Sequence, residues 1–221
     1  MNRIKLIIFD MDGTLYSLDD VVTMNYQMQL DFYSVYTGKD KNQVIKEFEA
    51  NNIYPVMTEK SKSATEFFVG SGISSKEWNT YREEHFDVSA INKKTVVSSE
   101  VIYRFAEIAT LVLLSSNSLY NIQKILKHIN IDACVFKDIL CSDHKYGNES
   151  FKKIDEMKYI SSKYDIEPKN ILSVGDRYKT DIEPILEIGG MGVVINGPQD
   201  LYGVLNAIII GKWSNIRLYG A

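Results

Sequence analysis

Between Arg3 and Phe9, Ile4, Leu6, Ile7, Ile8 and Phe9 are apolar and branched or aromatic, and the run stops at two aspartates. Such a run predicts a buried strand with the acids at its C-terminal end. From Ser17 to about Ile91 the spacing becomes helical. Val22, Tyr26, Leu30, Tyr33 and Tyr36 share one face of a helix that Asp19 or Asp20 can cap and Gly38 can stop. Further helices are expected over Asp40–Asn52 and Thr58–Val69, and after Ser74-Ser75-Lys76-Glu77, which has the form of a capping segment.

Asn92-Lys93-Lys94 reads as a polar return, after which strands and helices alternate. A helix from Ser98 or Ser99 to Ile108 precedes a strand at Leu111–Leu114, and a helix at Leu119–Ile129 precedes an extended stretch from Cys134 to Cys141. A helix then runs to about Tyr164, followed by a strand at Ile171–Val174, a helix at Ile182–Ile188 and a strand at Gly192–Ile195. Repeated β-α units imply a parallel sheet with helices on both faces. The expectation is therefore an α/β fold: a Rossmann-like core from residues 1–16 and 92–221, carrying an inserted all-helical domain over residues 17–91.

With 221 residues the chain can bury a substantial core, and 45% hydrophobic with 24% charged residues is a soluble globular balance. A net charge of −4 argues against a general nucleic-acid surface, so any phosphate must be attracted locally. Cys134 and Cys141 are the only cysteines and lie in apolar surroundings, which suggests free buried thiols in a reducing compartment. The N-terminal apolar run is too short for a signal-peptide core or a membrane span, and the expected location is cytoplasmic.

The acids after the first strand carry the first chemical signal. Asp10 and Asp12, one residue apart, repel each other, so a site that holds both needs a cation or a shared proton. Gly13 allows close backbone approach to a ligand, and its N–H can join an anion-binding nest. Strand Leu111–Leu114 ends in Ser115-Ser116-Asn117, where hydroxyl and amide groups can reach a phosphate or cap the next helix. Strand Ile171–Val174 ends at Gly175-Asp176, and Asp181 follows five residues later, suited to a cation's water shell, to orienting a lysine or to capping a helix at Ile182. His85, His128 and His144 have no second ligand at metal-binding spacing.

Phe9-Asp10-Met11-Asp12-Gly13-Thr14-Leu15, with strand-Ser116-Asn117 and Gly175-Asp176-x4-Asp181, resembles the motifs of the haloacid dehalogenase-like (HAD) hydrolases. The resemblance covers roughly residues 4–16 and 92–210, and the insertion looks like a helical C1 cap. It implies Asp10 as nucleophile and Asp12 as general acid/base. Ser116, with Asn117 and Gly13, would bind the substrate phosphate. Asp10, Asp176, Asp181 and the backbone carbonyl of Asp12 would hold Mg²⁺. Haloacid dehalogenases lack an aspartate two residues after the nucleophile, so the resemblance points to a phosphatase acting on a sugar phosphate, nucleoside monophosphate or similar small substrate, or else to a phosphomutase. The family's lysine has three candidates in Lys145, Lys152 and Lys153; spacing before Asp176 favours Lys152, with Lys145 the alternative. A receiver-like protein that accepts phosphate on aspartate, or a ligand-binding member without turnover, is the alternative of another class. Substrate identity and oligomeric state stay open.

Overall fold

The computed structural model describes residues 4–56, 61–142, 151–213 and 216–220. They form two compact units, one built from residues 4–18, 91–142, 151–213 and 216–220, the other from residues 19–56 and 61–90.

The first unit is a six-stranded sheet with β1 (Leu6–Phe9), β2 (Thr110–Leu114), β3 (Asp138–Leu140), β4 (Ile171–Gly175), β5 (Met191–Val194) and β6 (Leu218–Tyr219), in the order β3-β2-β1-β4-β5-β6. β1 to β5 are parallel, and β6 closes one edge antiparallel to β5. All four residues of β1 are buried, the pattern of a strand covered on both faces. On one side Leu6 and Ile8 join Val112, Leu114 and Ile171 against Met157 and Ile160 of α7 (Lys153–Tyr164) and Ile185 of α8 (Glu183–Glu187). On the other, Phe9 meets Phe105 of α5 (Ser99–Ile108) edge to face at 5.1 Å. The remaining helices of this unit are α6 (Leu119–His128) and α9 (Leu201–Ile210). β1 lies between β2 and β4, the point where the strand order reverses, and in open α/β sheets the crevice beyond the strand ends opens there.

Local departures from the sequence pattern have identifiable causes. The stretch from Cys134 to Cys141 is not one strand. Asp132 accepts from the Cys134 N–H at 2.9 Å and starts a 3-10 turn at Ala133–Val135, which leaves Cys134 exposed and Cys141 buried, both as free thiols. In place of a single helix at Ile182–Ile188 there is a π-helical turn, Tyr178–Ile182, running into α8, with Pro184 in the first turn of α8 where its missing N–H costs little. The chain leaves the sheet along Leu15–Ser17 and returns along Thr95–Val97. These two segments pair, with Ser17 N–H donating to Thr95 O at 3.0 Å and Val97 N–H to Leu15 O at 2.9 Å.

The second unit is helical: α1 (Val22–Thr37), α2 (Lys41–Ala50), α3 (Ala64–Gly70) and α4 (Ser75–His85). Gly38 ends α1 in the left-handed conformation at φ 71°. Asp19 and Asp20 lie in a 3-10 turn, and α1 starts at Val21 with no side-chain cap. Asp40 with Gln43, and Ser74 with Glu77, form reciprocal capping boxes on α2 and α4. Phe32, Tyr33, Phe48, Phe68 and Trp78 make the core, where Phe68 meets Phe32 at 5.2 Å and Trp78 at 5.1 Å. The start of the helix expected at Thr58 falls outside the described residues; Ser63 caps the helix that is seen.

Candidate active site

The C-terminal end of β1 delivers Asp10, fixed by its N–H donating to Val174 O at 3.0 Å. The neighbouring β4 delivers Asp176. One carboxylate oxygen each from Asp10, Asp176 and Asp181 come within 4.8 Å of one another. Asp181 reaches back because the π-helical turn tucks it beneath the end of β4. Its Oδ2 accepts from Arg177 N–H at 2.9 Å, its Oδ1 from Thr180 Oγ1 at 2.9 Å, and its carbonyl from Ser173 Oγ at 2.6 Å. Asp181 therefore closes its own turn and does not cap α8. Two glycines make room: a Cβ on Gly13 would stand 2.4 Å from Asp176 Oδ2, and one on Gly175 would stand 2.4 Å from Asp181 Cβ. Gly13 also holds φ at 79°, where it costs least.

Among the described residues the lysine at this cluster is Lys153. Its Nζ donates to Asp10 Oδ1 at 2.5 Å and to Asp181 Oδ1 at 2.7 Å, with only 13% of the side chain exposed. The spacing argument that favoured Lys152 is thus corrected by one residue. Lys152 is the N-cap of α7 with extended backbone, whereas Lys153 starts the helical face that continues at Met157 and Ile160, both buried. That i, i+4, i+7 register was readable in the sequence. Lys145 falls outside the described residues.

Asp12 points elsewhere. Its Oδ1 accepts from the Tyr16 hydroxyl and its Oδ2 from Asn117 Nδ2 at 2.7 Å, so its side chain is not part of the three-acid cluster. Asn117 follows β2 and is buried. Its carbonyl accepts from both Ser142 N–H (3.2 Å) and Ser142 Oγ (3.0 Å), and its N–H donates to Ser115 Oγ at 3.2 Å. The amide expected to meet phosphate thus binds Asp12. Ser116 is exposed at the same strand end. Tyr16 is fully buried, and nothing in its sequence context identified Asp12 as the partner of its hydroxyl.

Electrostatics at the cluster are those of acids crowded away from water. Burial is the largest influence on Asp10 and, with Asp181, Asp12 and Asp176, pushes its carboxyl up to about 8 against the pull of Lys153. Burial also pushes Asp176 up to about 6, with Arg177 opposing and Asp181 adding. For Lys153 burial disfavours the charge, but Asp10 and Asp181 outweigh it and hold the ammonium above its ordinary range. An all-oxygen donor set crowded away from water suits a hard divalent cation such as Mg²⁺, which relieves that crowding.

The same motifs and fold occur in known proteins. The family model of haloacid dehalogenase-like hydrolases matches residues 4–189. Curated proteins give no match. Among solved structures, a HAD phosphatase from Thermococcus onnurineus superposes with TM-score 0.61 at 17% identity, over 91% of this chain and 97% of that one. The magnesium-bound HAD-hydrolase YfnB of Bacillus subtilis gives 0.55 at 14% identity, over 92% and 99%. A predicted phosphoglycolate phosphatase from Haemophilus somnus 129PT gives 0.54 at 21% identity, over 89% and 88%. These likenesses are likenesses of fold. Among the described residues no helix is long and apolar enough to cross a membrane. The family match spans most of the chain, and the protein belongs to the haloacid dehalogenase-like hydrolases.

Proposed function

We propose that the protein is a Mg²⁺-dependent phosphatase that hydrolyses small phosphate monoesters through a phosphoryl group carried on Asp10. The supporting observation is the convergence of Asp10, Asp176 and Asp181 on one point, with Lys153 Nζ 2.5 Å from Asp10. Asp10, Asp176, Asp181 and the carbonyl of Asp12 would hold Mg²⁺, whose charge offsets the mutual repulsion of phosphate and carboxylate.

The chain's own groups do the rest. Asp10 attacks phosphorus, forming a carboxyl–phosphate bond as the bond to the leaving oxygen breaks. Asp12 gives its proton to that oxygen, then takes one from the water that attacks the phosphoryl group, freeing phosphate and restoring Asp10. Ser116 Oγ and the Gly13 N–H donate to phosphoryl oxygens, and Lys153 orients Asp10 while balancing the charge of Asp181. We assign selection of the leaving group to the helical insert at residues 17–91. The similar structures include a HAD phosphatase and a magnesium-bound HAD-hydrolase, which fits this reading.

The test is a hydrolysis screen over sugar phosphates, nucleoside monophosphates and phosphoglycolate, with and without Mg²⁺, using wild type and Asp10→Asn. Turnover confined to the metal-loaded wild type is expected. Equal turnover by Asp10→Asn, or by metal-free protein, would overturn the mechanism.

A further inference from the structure

We infer that Tyr16 is a positioning residue for the acid/base carboxyl of Asp12, an inference that rests on the phosphatase reading above. Tyr16 lies four residues after Asp12, is fully buried, and donates its hydroxyl to Asp12 Oδ1. Asn117 Nδ2 takes the other oxygen at 2.7 Å. A carboxylate offers two acceptor positions on each oxygen, so this pair of donors fixes the plane of Asp12 and still leaves a lone pair on each oxygen for a leaving group or a water.

Both donors are themselves anchored. Tyr16 forms bridges with Asp12 and with Val96, and the hydrogen bonds from Ser17 N–H to Thr95 O and from Val97 N–H to Leu15 O hold its backbone on either side. Asn117 is held through its carbonyl by Ser142. One donor therefore comes from the loop after β1 and the other from the end of β2, so the carboxyl is clamped from two sides.

Packing alone does not ask for a hydroxyl here. Phenylalanine would fill the same buried volume, and burying a phenol O–H is unfavourable unless it finds an acceptor. The acceptor it finds is the one carboxyl that the proposed reaction needs in a fixed direction at two steps. The Tyr16 hydroxyl bonds Asp12, whose side chain stands apart from the three-acid cluster, so its effect on the reaction passes through Asp12.

The decisive comparison is a cycle of wild type, Tyr16→Phe, Asp12→Asn and the double variant. With β-glycerophosphate, whose alkoxide must be protonated to leave, Tyr16→Phe is expected to lower kcat roughly 10-fold or more while KM stays within about twofold. With p-nitrophenyl phosphate the leaving group needs no proton, so the initial burst of p-nitrophenolate keeps its rate. In the Asp12→Asn background Tyr16→Phe adds no further loss of kcat. Melting of the four metal-free proteins gives a readout independent of activity: Tyr16→Phe lowers the midpoint by roughly 2–4 °C when Asp12 is intact and by much less in the Asp12→Asn background. A p-nitrophenolate burst slowed as much as kcat on β-glycerophosphate, or losses that simply add in the double variant, would mean a packing role and overturn the inference. Wild type inactive on every ester would overturn the phosphatase reading and the role of Tyr16 together.

Discussion

A Cβ placed on Gly13 would come within 2.4 Å of Asp176 Oδ2, so the loop after β1 and the acid after β4 approach more closely than any side chain at residue 13 permits. The backbone there, at φ 79°, adds a second objection to an L-residue. Gly13→Ala is expected to cost roughly 1–3 kcal/mol of stability from the backbone alone and to displace Asp176. Denaturant unfolding with Mg²⁺ titration checks both: a variant with wild-type stability and wild-type metal response would contradict the close packing.

Lys153→Met should leave Asp10 and Asp181 facing each other without their cation. Removing one partner of a buried ion pair typically costs about 3–5 kcal/mol, less whatever protonation of Asp10 relieves. Mg²⁺ should restore part of the melting temperature, while turnover stays severely reduced. Lys152→Met, at the N-cap, should stay within about 0.5 kcal/mol of wild type. The opposite ranking of the two variants would show that α7 begins one residue earlier than described.

Cation binding should appear as thermal stabilisation. At about 100 times its Kd, Mg²⁺ adds roughly 2.7 kcal/mol to the folded state. Asp176→Asn removes one of three crowded carboxylates, so in metal-free buffer it should melt no lower than wild type, and with saturating Mg²⁺ clearly lower. That reversal of order, followed by calorimetry, separates a cation site from an ordinary acidic cluster.

The α4 capping box predicts a pH dependence. Hydrogen bonds from the Ser74 side chain and then its backbone N–H hold Glu77 below its usual value of 4.5. A folded-state pKa lower than the unfolded one gives stability that is present above the unfolded value and lost as pH falls through the folded one. Glu77→Gln should therefore flatten the decline of stability below about pH 4.5, leaving neutral-pH behaviour nearly unchanged. Parallel curves for the two proteins would exclude the contribution.

Much of this architecture could be read from side-chain pattern, because Leu6–Phe9 and Leu111–Leu114 are short unbroken apolar runs of the length and branching that suit buried strands. The acids at strand ends followed at once, since Asp10 and Asp176 interrupt such runs. Two things were missed. Lys153 and Lys152 are chemically identical neighbours, and only the start of a helical face, set by Met157 and Ile160, distinguishes them. The partners of Asp12 lie 4 and 105 residues away, and neither a tyrosine nor an asparagine declares from sequence which atom it will meet. Likewise β6, two residues long, is an edge created by pairing with β5 and has no periodicity of its own.

The paired segments Leu15–Ser17 and Thr95–Val97 place the exit and re-entry of the chain side by side. Neighbouring strands of this kind can be closed by a turn of about two to four residues, so the two ends of the insert leave the core at one place. Among the described residues, everything between Ser17 and Thr95 contributes no strand to the sheet. The acids that perform the proposed chemistry and the segment that would choose its substrate can therefore diverge independently, which gives such a chain a short route from one metabolite to another.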